Sequence, residues 1–419
     1  MKQLKILVCA FACLRDPDTR FGFGKGGESE LGWNMILQIS KFGEVFVLTD
    51  SENKQEIDNK LKEQKVSGVS FFYISLPKFL NFTKKKIQIY AYLWQIKAYF
   101  IAKKLHKEIG FNAFHHVTYA NDWMASFIGA LLPVPYVRGP GGGAHYVPKE
   151  FVKKYPIKER LAQKIRSIGQ WIFRHDPFFI IGQNKAKAIL VCNKEAFSAL
   201  PQKWQKKAQL FPVNGISFKD LSLLETKRET EDNNFLILTA GKLIKIKGFD
   251  LAIKSFKIFS DKISNAKLII VGDGPELQNL KNLVKELKLE DKIIFENWLP
   301  REKLFEKMLS CNVFLFASLR DGGGEVVVEA MAMGKPVVCF DIAGPGFHID
   351  ENCGIKIKSA SFNQAVSDMA KALEKLYFDK DLCARLGNGA RQKAKENYNW
   401  DNLGKRTCEI YKIILSNAR

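Results

Sequence analysis

Short apolar runs, each bounded by turn residues and separated by helical periodicity, constrain this 419-residue chain more than any other feature. "KILVCAF" (5–11), "EVFVLT" (44–49), "GVSFFYISL" (68–76), "PYVRG" (135–139) and "AILVCN" (188–193) form one series. "FLILTAG" (235–241), "AKLIIVGDG" (266–274), "KIIFENW" (292–298), "NVFLFAS" (312–318) and "KPVVCFD" (335–341) form a second. Helical patterns such as "ELQNLKNLVKELKL" (276–289) lie between the runs. Apolar runs that do not alternate with polar residues suit strands buried on both faces. Their repetition with helices predicts parallel sheets covered on each side. The polar stretch "TKRETEDNN" (226–234) and the turn signal "VNGIS" (213–217) mark the seam between the two series. The expected class is α/β: two doubly wound, Rossmann-like domains facing across a cleft, 1–205 and 206–395, with 396–419 as a helical tail. In such sheets ligands sit beyond the carboxyl ends of the strands.

Composition narrows the function classes. A hydrophobic content of 46% excludes a disordered chain. The net charge of +21 favours polyanionic partners: nucleic acid, an anionic membrane or a phosphorylated ligand. Lysine-rich coding bias accounts for such an excess equally well. The first 200 residues hold 30 basic and 16 acidic side chains, so this half is the one expected to face an anionic surface. Eight cysteines show neither a C-x-x-C pair nor zinc spacing, which points to buried, reduced thiols and a cytoplasmic protein. "LKILVCAFACL" is too short to span a bilayer and reads as a first strand, so the chain is expected to be soluble or peripheral. Residues 77–107 hold eight lysines, no acid and several aromatic residues. They read as a membrane-surface helix toward an anionic inner leaflet, or as a core helix whose Tyr and Trp pack inward. Single-stranded nucleic acid ranks below both.

The chemistry concentrates in the second series. "AGKLIKIKGFD" (240–250) places Lys242, Lys245 and Lys247 beside glycines at a strand end. "VGDGPE" (271–276) is a second glycine turn. "SLRDGGGEVVVEAMAMGKPVV" (318–338) runs from a strand through Gly322–Gly324 into a helix starting near Gly324. Free amides at that start suit an anion. Asp321 and Glu329 suit hydroxyl groups, because two carboxylates would repel a diphosphate. Taken singly, Asp321 reads as an N-cap-like acid and Glu329 as a buried salt-bridge partner.

In this order the three motifs resemble the nucleotide-sugar half of GT-B glycosyltransferases, specifically the family-four (group 1) retaining enzymes. The close match spans roughly 213–357. The resemblance implies that Lys242 and Lys247 hold the donor diphosphate, Glu329 binds ribose hydroxyls and Asp321 contacts the donor sugar, with Gly322, Gly323 and Gly324 beneath it. Lys242 stands where the family has Arg, and Asp321 where it has Glu. "KGGESELGW" (25–33) looks like the family's glycine loop toward the donor phosphates, implicating Gly26 and Gly27. "FHHVTYANDW" (114–123) and "VPYVRGPGGGAHYVP" (134–148) look like a subgroup in which His116 or His115 lies at the reaction centre. Ala144 stands where that subgroup often has an acid. The tail resembles a terminal helix that packs back on the first domain.

The implied reaction is metal-independent, retaining transfer of a hexosyl or related sugar from a UDP- or GDP-sugar, with no other cofactor. The implied acceptor is a glycan or lipid-linked glycan in cell-surface polysaccharide or lipopolysaccharide assembly. The competing readings are a nucleotide-sugar epimerase on the same scaffold and a non-catalytic basic membrane or nucleic-acid scaffold. "DPD" (16–18) matches an Asp-x-Asp metal pattern but lacks a third ligand, so no metal site is expected.

Overall fold

The computed structural model describes residues 4–14, 27–85, 87–143, 145–218 and 234–416. They group into two units. One comprises the described residues of Met1–Ala144, Leu161–Asn214 and Trp400–Arg419, and the other those of His145–Arg160 and Gly215–Asn399.

The first unit is built on seven strands: β1 (Leu4–Ala10), β2 (Gly43–Asp50), β3 (Val69–Ile74), β4 (Ala113–Thr118), β5 (Tyr136–Gly141), β6 (Ala186–Val191) and β7 (Ala208–Leu210). Their order is β3-β2-β1-β4-β5-β6-β7, and every pairing is parallel. Side chains alternate across a strand, so β1 feeds two cores at once. Ile6, Val8 and Ala10 pack with Trp33, Leu403 and Tyr411, while Leu7 and Cys9 pack with Tyr90 and Trp94. Helices Glu28–Ser40 and Trp400–Ser416 therefore cover one face, and helix Ile87–Ile109 covers the other. That last helix lies in the lysine-rich segment 77–107. Its Tyr90 and Trp94 are buried, as the core-helix reading requires, whereas Phe79, Phe82 and Phe100 stay exposed.

The second unit repeats the plan with β8 (Phe235–Ala240), β9 (Ala266–Val271), β10 (Ile293–Glu296), β11 (Val313–Phe316), β12 (Val337–Phe340) and β13 (Gly354–Ile357). The order is β10-β9-β8-β11-β12-β13, again all parallel. Val313 and Leu315 face a core with Phe256 and Leu373, while Phe314 and Phe316 face one with Val328 and Met331. Val147, Phe151 and Tyr155 from 145–160 join the first of these cores. Phe151 meets Phe340 edge-on, with 5.7 Å between ring centroids.

In each sheet the strand order reverses beside the unit's first strand, between β1 and β4 and between β8 and β11. Loops leaving the carboxyl ends of two such strands diverge and open a crevice, the usual ligand position in doubly wound sheets. Among the described residues, no helix is long and apolar enough to cross a membrane.

Candidate functional site

At the switch point of the second sheet, two loops leave β8 and β11. The first passes Gly241 and Lys242 into a 3-10 turn, Lys245–Lys247. The second reaches Asp321 and three glycines before the helix Glu325–Ala332. They meet through a backbone bond, Leu319 N–H to Ile246 O at 2.9 Å, and an ion pair in which Lys247 Nζ donates to Asp321 Oδ2 at 2.5 Å. Lys247 also lies 5.5 Å from the centroid of the Phe316 ring. The second carboxylate oxygen, Oδ1, accepts the Gly324 N–H at 2.8 Å. Burial pushes the Asp321 carboxyl up. The Lys247 ammonium, its hydrogen bond, the Gly324 amide and His145 outweigh that effect and hold it below its ordinary value. Asp321 is thus an anion at neutral pH, poised between a cation and a helix start.

The glycines have distinct structural reasons. Gly324 precedes the helix at φ 61°, a left-handed conformation that costs other residues about 1–2 kcal/mol. A Cβ on Gly322 would stand 2.6 Å from His145 Cε1, so that position admits no side chain without displacing the ring. His348 holds the carbonyl between them. Its Nε2–H donates to Gly323 O at 2.5 Å, which leaves Nδ1 to accept from the Tyr398 hydroxyl at 2.8 Å. Burial lowers the His348 pKa to about 4, so the ring is neutral and its tautomer is set by these two partners. The "VGDGPE" turn acts from behind: Leu243 N–H donates to Asp273 O at 2.8 Å, bracing the loop that carries Lys242.

Glu329 sits farther along the same helix, 6% exposed, with Oε1 2.7 Å from Arg301 Nε. Arg301 begins the helix Arg301–Ser310 and lies over Phe305, 5.4 Å from the ring centroid. Lys242 is exposed on the β8 loop. The structure therefore brings Lys247, Asp321 and Gly322–Gly324 into one cluster. It gives Glu329 an ionic partner and leaves Lys242 facing solvent. The structural roles considered for the acids apply as well: Asp321 accepts an amide at a helix start, and Glu329 is salt-bridged.

His115 and His116 lie on β4, paired to Val8 and Cys9 of β1 and to Val137 and Arg138 of β5. A central strand covered on both faces buries both rings, and each is 0% exposed. His115 Nε2–H donates to Gly139 O at 2.6 Å, and its Nδ1 accepts from the Tyr411 hydroxyl at 2.6 Å. His116 Nε2 lies 3.1 Å from Gln95 Nε2 on the opposite face. Burial lowers their pKa values to about 4 and about 3, so both are neutral. In this arrangement neither ring reaches the surface. Gly27 is the N-cap of helix Glu28–Ser40 at φ 63°. Gly26, Ala144 and "DPD" fall outside the described residues.

His145, Arg301, His348 and Tyr398 escaped the sequence reading. His145 carried a signal, standing two residues after the triple glycine of "GGGAHY". The others gain meaning only from partners distant along the chain.

Residues 224–393 match the family described as glycosyl transferases, group 1. An uncharacterized glycosyltransferase of Methanocaldococcus jannaschii is 24% identical over 401 residues, covering 89% of this chain and 90% of the relative. The capsular polysaccharide biosynthesis glycosyltransferase CapM of Staphylococcus aureus is 28% identical over 222 residues, 49% of this chain and 54% of CapM. Anabaena HepE, solved in complex with UDP, superposes with a TM-score of 0.65 at 15% identity, covering 98% of this chain and 100% of HepE; that is a likeness of fold. The architecture is that of GT-B glycosyltransferases, with two Rossmann-like units. Residues 224–393, with their lysine loop, glycine turn and Asp321-to-Glu329 helix start, are the part of this chain that matches the group 1 glycosyl transferases.

Proposed function

We propose that the protein transfers a hexosyl or related sugar, with retention of anomeric configuration and without a metal, from a UDP- or GDP-sugar. The acceptor is a glycan or lipid-linked glycan in cell-surface polysaccharide or lipopolysaccharide assembly, at the inner face of a membrane. The carrying observation is the Lys247–Asp321–Gly324 constellation at the β8/β11 switch point. The CapM name supports a polysaccharide product, and the UDP in HepE supports a nucleotide donor.

In this reading the donor diphosphate takes the Lys247 ammonium and the amides at the start of helix Glu325–Ala332, joined by Lys242 from the neighbouring loop. Engagement of Lys247 frees Asp321 Oδ2 to accept a hydroxyl of the donor sugar. Glu329, oriented by Arg301, accepts the ribose hydroxyls. The bond from the anomeric carbon to the departing phosphate oxygen breaks, and a bond to the acceptor oxygen forms on the same face. The acceptor's hydroxyl proton leaves with the diphosphate. Fixed cationic and amide groups aimed at the charge that develops on the leaving group lower the barrier, as in an oxyanion hole. His115 serves as a positioning residue, fixing the Gly139 carbonyl and hence the glycine loop that follows β5.

Donor binding and turnover of Glu329→Ala and Lys247→Ala test the reading. Glu329→Ala should weaken donor binding, and Lys247→Ala should chiefly slow transfer. Wild-type kinetics in both would reject it. Product analysis that finds donor consumed without an acceptor would indicate an epimerase instead.

A further inference from the structure

Helix Ile157–Arg174 is folded inside out. Its polar side faces the protein. Gln170, 3% exposed, donates to Gly143 O at 3.2 Å, and Arg174 pairs with the buried Asp122, Nη2 to Oδ2 3.1 Å. Its apolar side faces outward: Ile157, Leu161, Ile165, Ile168, Trp171 and Ile172 are between 51% and 77% exposed. At about 100° per residue these six positions fall within an arc of roughly 120°. A helix of a globular protein ordinarily buries that stripe, so six large apolar side chains left in water on one face, with Lys164 among them, mark a surface that something covers.

The charges around the stripe identify the occupant. Lys158 borders one edge and Arg160 the other, and Lys164 stands within the stripe between Trp171 and Ile157, all exposed. The helix's one acid, Glu159, lies on the opposite side. Two further exposed lysines, Lys153 and Lys154, precede the helix. An apolar stripe flanked on both sides by cations matches an anionic lipid surface. The apolar side chains enter the acyl boundary and the ammonium and guanidinium groups reach the phosphates. A protein partner would need acids on both flanks of its own apolar ridge. A lipid headgroup layer supplies them everywhere. We infer that helix Ile157–Arg174 docks this protein on an anionic bilayer, lying in the plane of the interface. Residues 77–107 offer a weaker case, because their Tyr90 and Trp94 are committed to the core.

The experiment is co-sedimentation of the full chain with phosphatidylcholine vesicles, with and without phosphatidylglycerol, alongside sedimentation equilibrium of the chain alone. The wild type should bind vesicles containing phosphatidylglycerol, and added salt should weaken that binding. The double variant I165Q/I168Q, altered only at exposed positions, should keep its melting temperature and bind about tenfold or more weakly. K158Q/K164Q should lose roughly fivefold per residue on anionic vesicles. Absence of vesicle binding, or binding indifferent to I165Q/I168Q, would overturn the inference. Self-association abolished by I165Q/I168Q without vesicle binding would assign the face to a second copy and overturn it too. Nucleotide binding is a separate readout, so the donor assignment stands or falls independently.

Discussion

Asp321 carries more of the proposed chemistry than any other side chain, because both of its oxygens already hold groups that a donor would claim. Removing its cation isolates that role. Lys247→Ala should lower kcat by about 10²–10³-fold, the usual effect of deleting one donor to developing charge. It should also raise the Asp321 pKa, read from the acid limb of the rate profile. An unchanged kcat and acid limb would place the leaving-group charge elsewhere. The buried histidines make a different prediction. His348 has its pKa lowered from 6.5 to about 4 by burial. An unfolded imidazole takes a proton near pH 6.5, whereas the buried ring resists until about 4. Between those values the unfolded chain binds more protons, and stability falls as the pH drops through the window. His115 and His116 act in the same direction. Thermal melts from pH 7 to 4.5 should show the decline, and His348→Gln should flatten it. Identical slopes would mean that the ring is not kept neutral.

At the scale of the element, the glycine loop before helix Glu325–Ala332 is specified by close approach. Gly322→Ala must push His145 aside, and Gly324→Ala forces a left-handed residue. Gly324→Ala should cost about 1–2 kcal/mol in stability. Both variants should weaken nucleotide-sugar binding in calorimetry, and wild-type affinity in both would separate the loop from the donor. Much of this unit was legible beforehand. Unbroken apolar runs lie on β8, β9 and β11, and the helix starts where "DGGGE" predicts. What stayed hidden shares a cause. The Arg301–Glu329 pair, the His348–Gly323 bond and the joining of 145–160 to the second unit are contacts between residues far apart in sequence. Helix Ile157–Arg174 shows the complementary limit. Its 3.6-residue period is plain in the sequence, but a period cannot say which face turns inward. β4 fell outside the apolar series because "FHHVT" places two histidines mid-strand. Only burial between two helical layers makes them core residues.

For the molecule as a whole, the charge of +21 joins two expectations: an anionic donor at the second sheet and an anionic surface beneath helix Ile157–Arg174. The donor claim is central, and ligand-induced stabilisation tests it most directly. Thermal unfolding of the full chain would be followed with UDP, GDP, ADP, CDP and dTDP, each with and without its common sugars. One base should stabilise clearly. A nucleotide at a hundredfold its dissociation constant contributes roughly 2.7 kcal/mol. The shift should shrink in Glu329→Ala. No shift with any nucleotide or nucleotide sugar would contradict the account and leave a basic, non-catalytic scaffold as the better description.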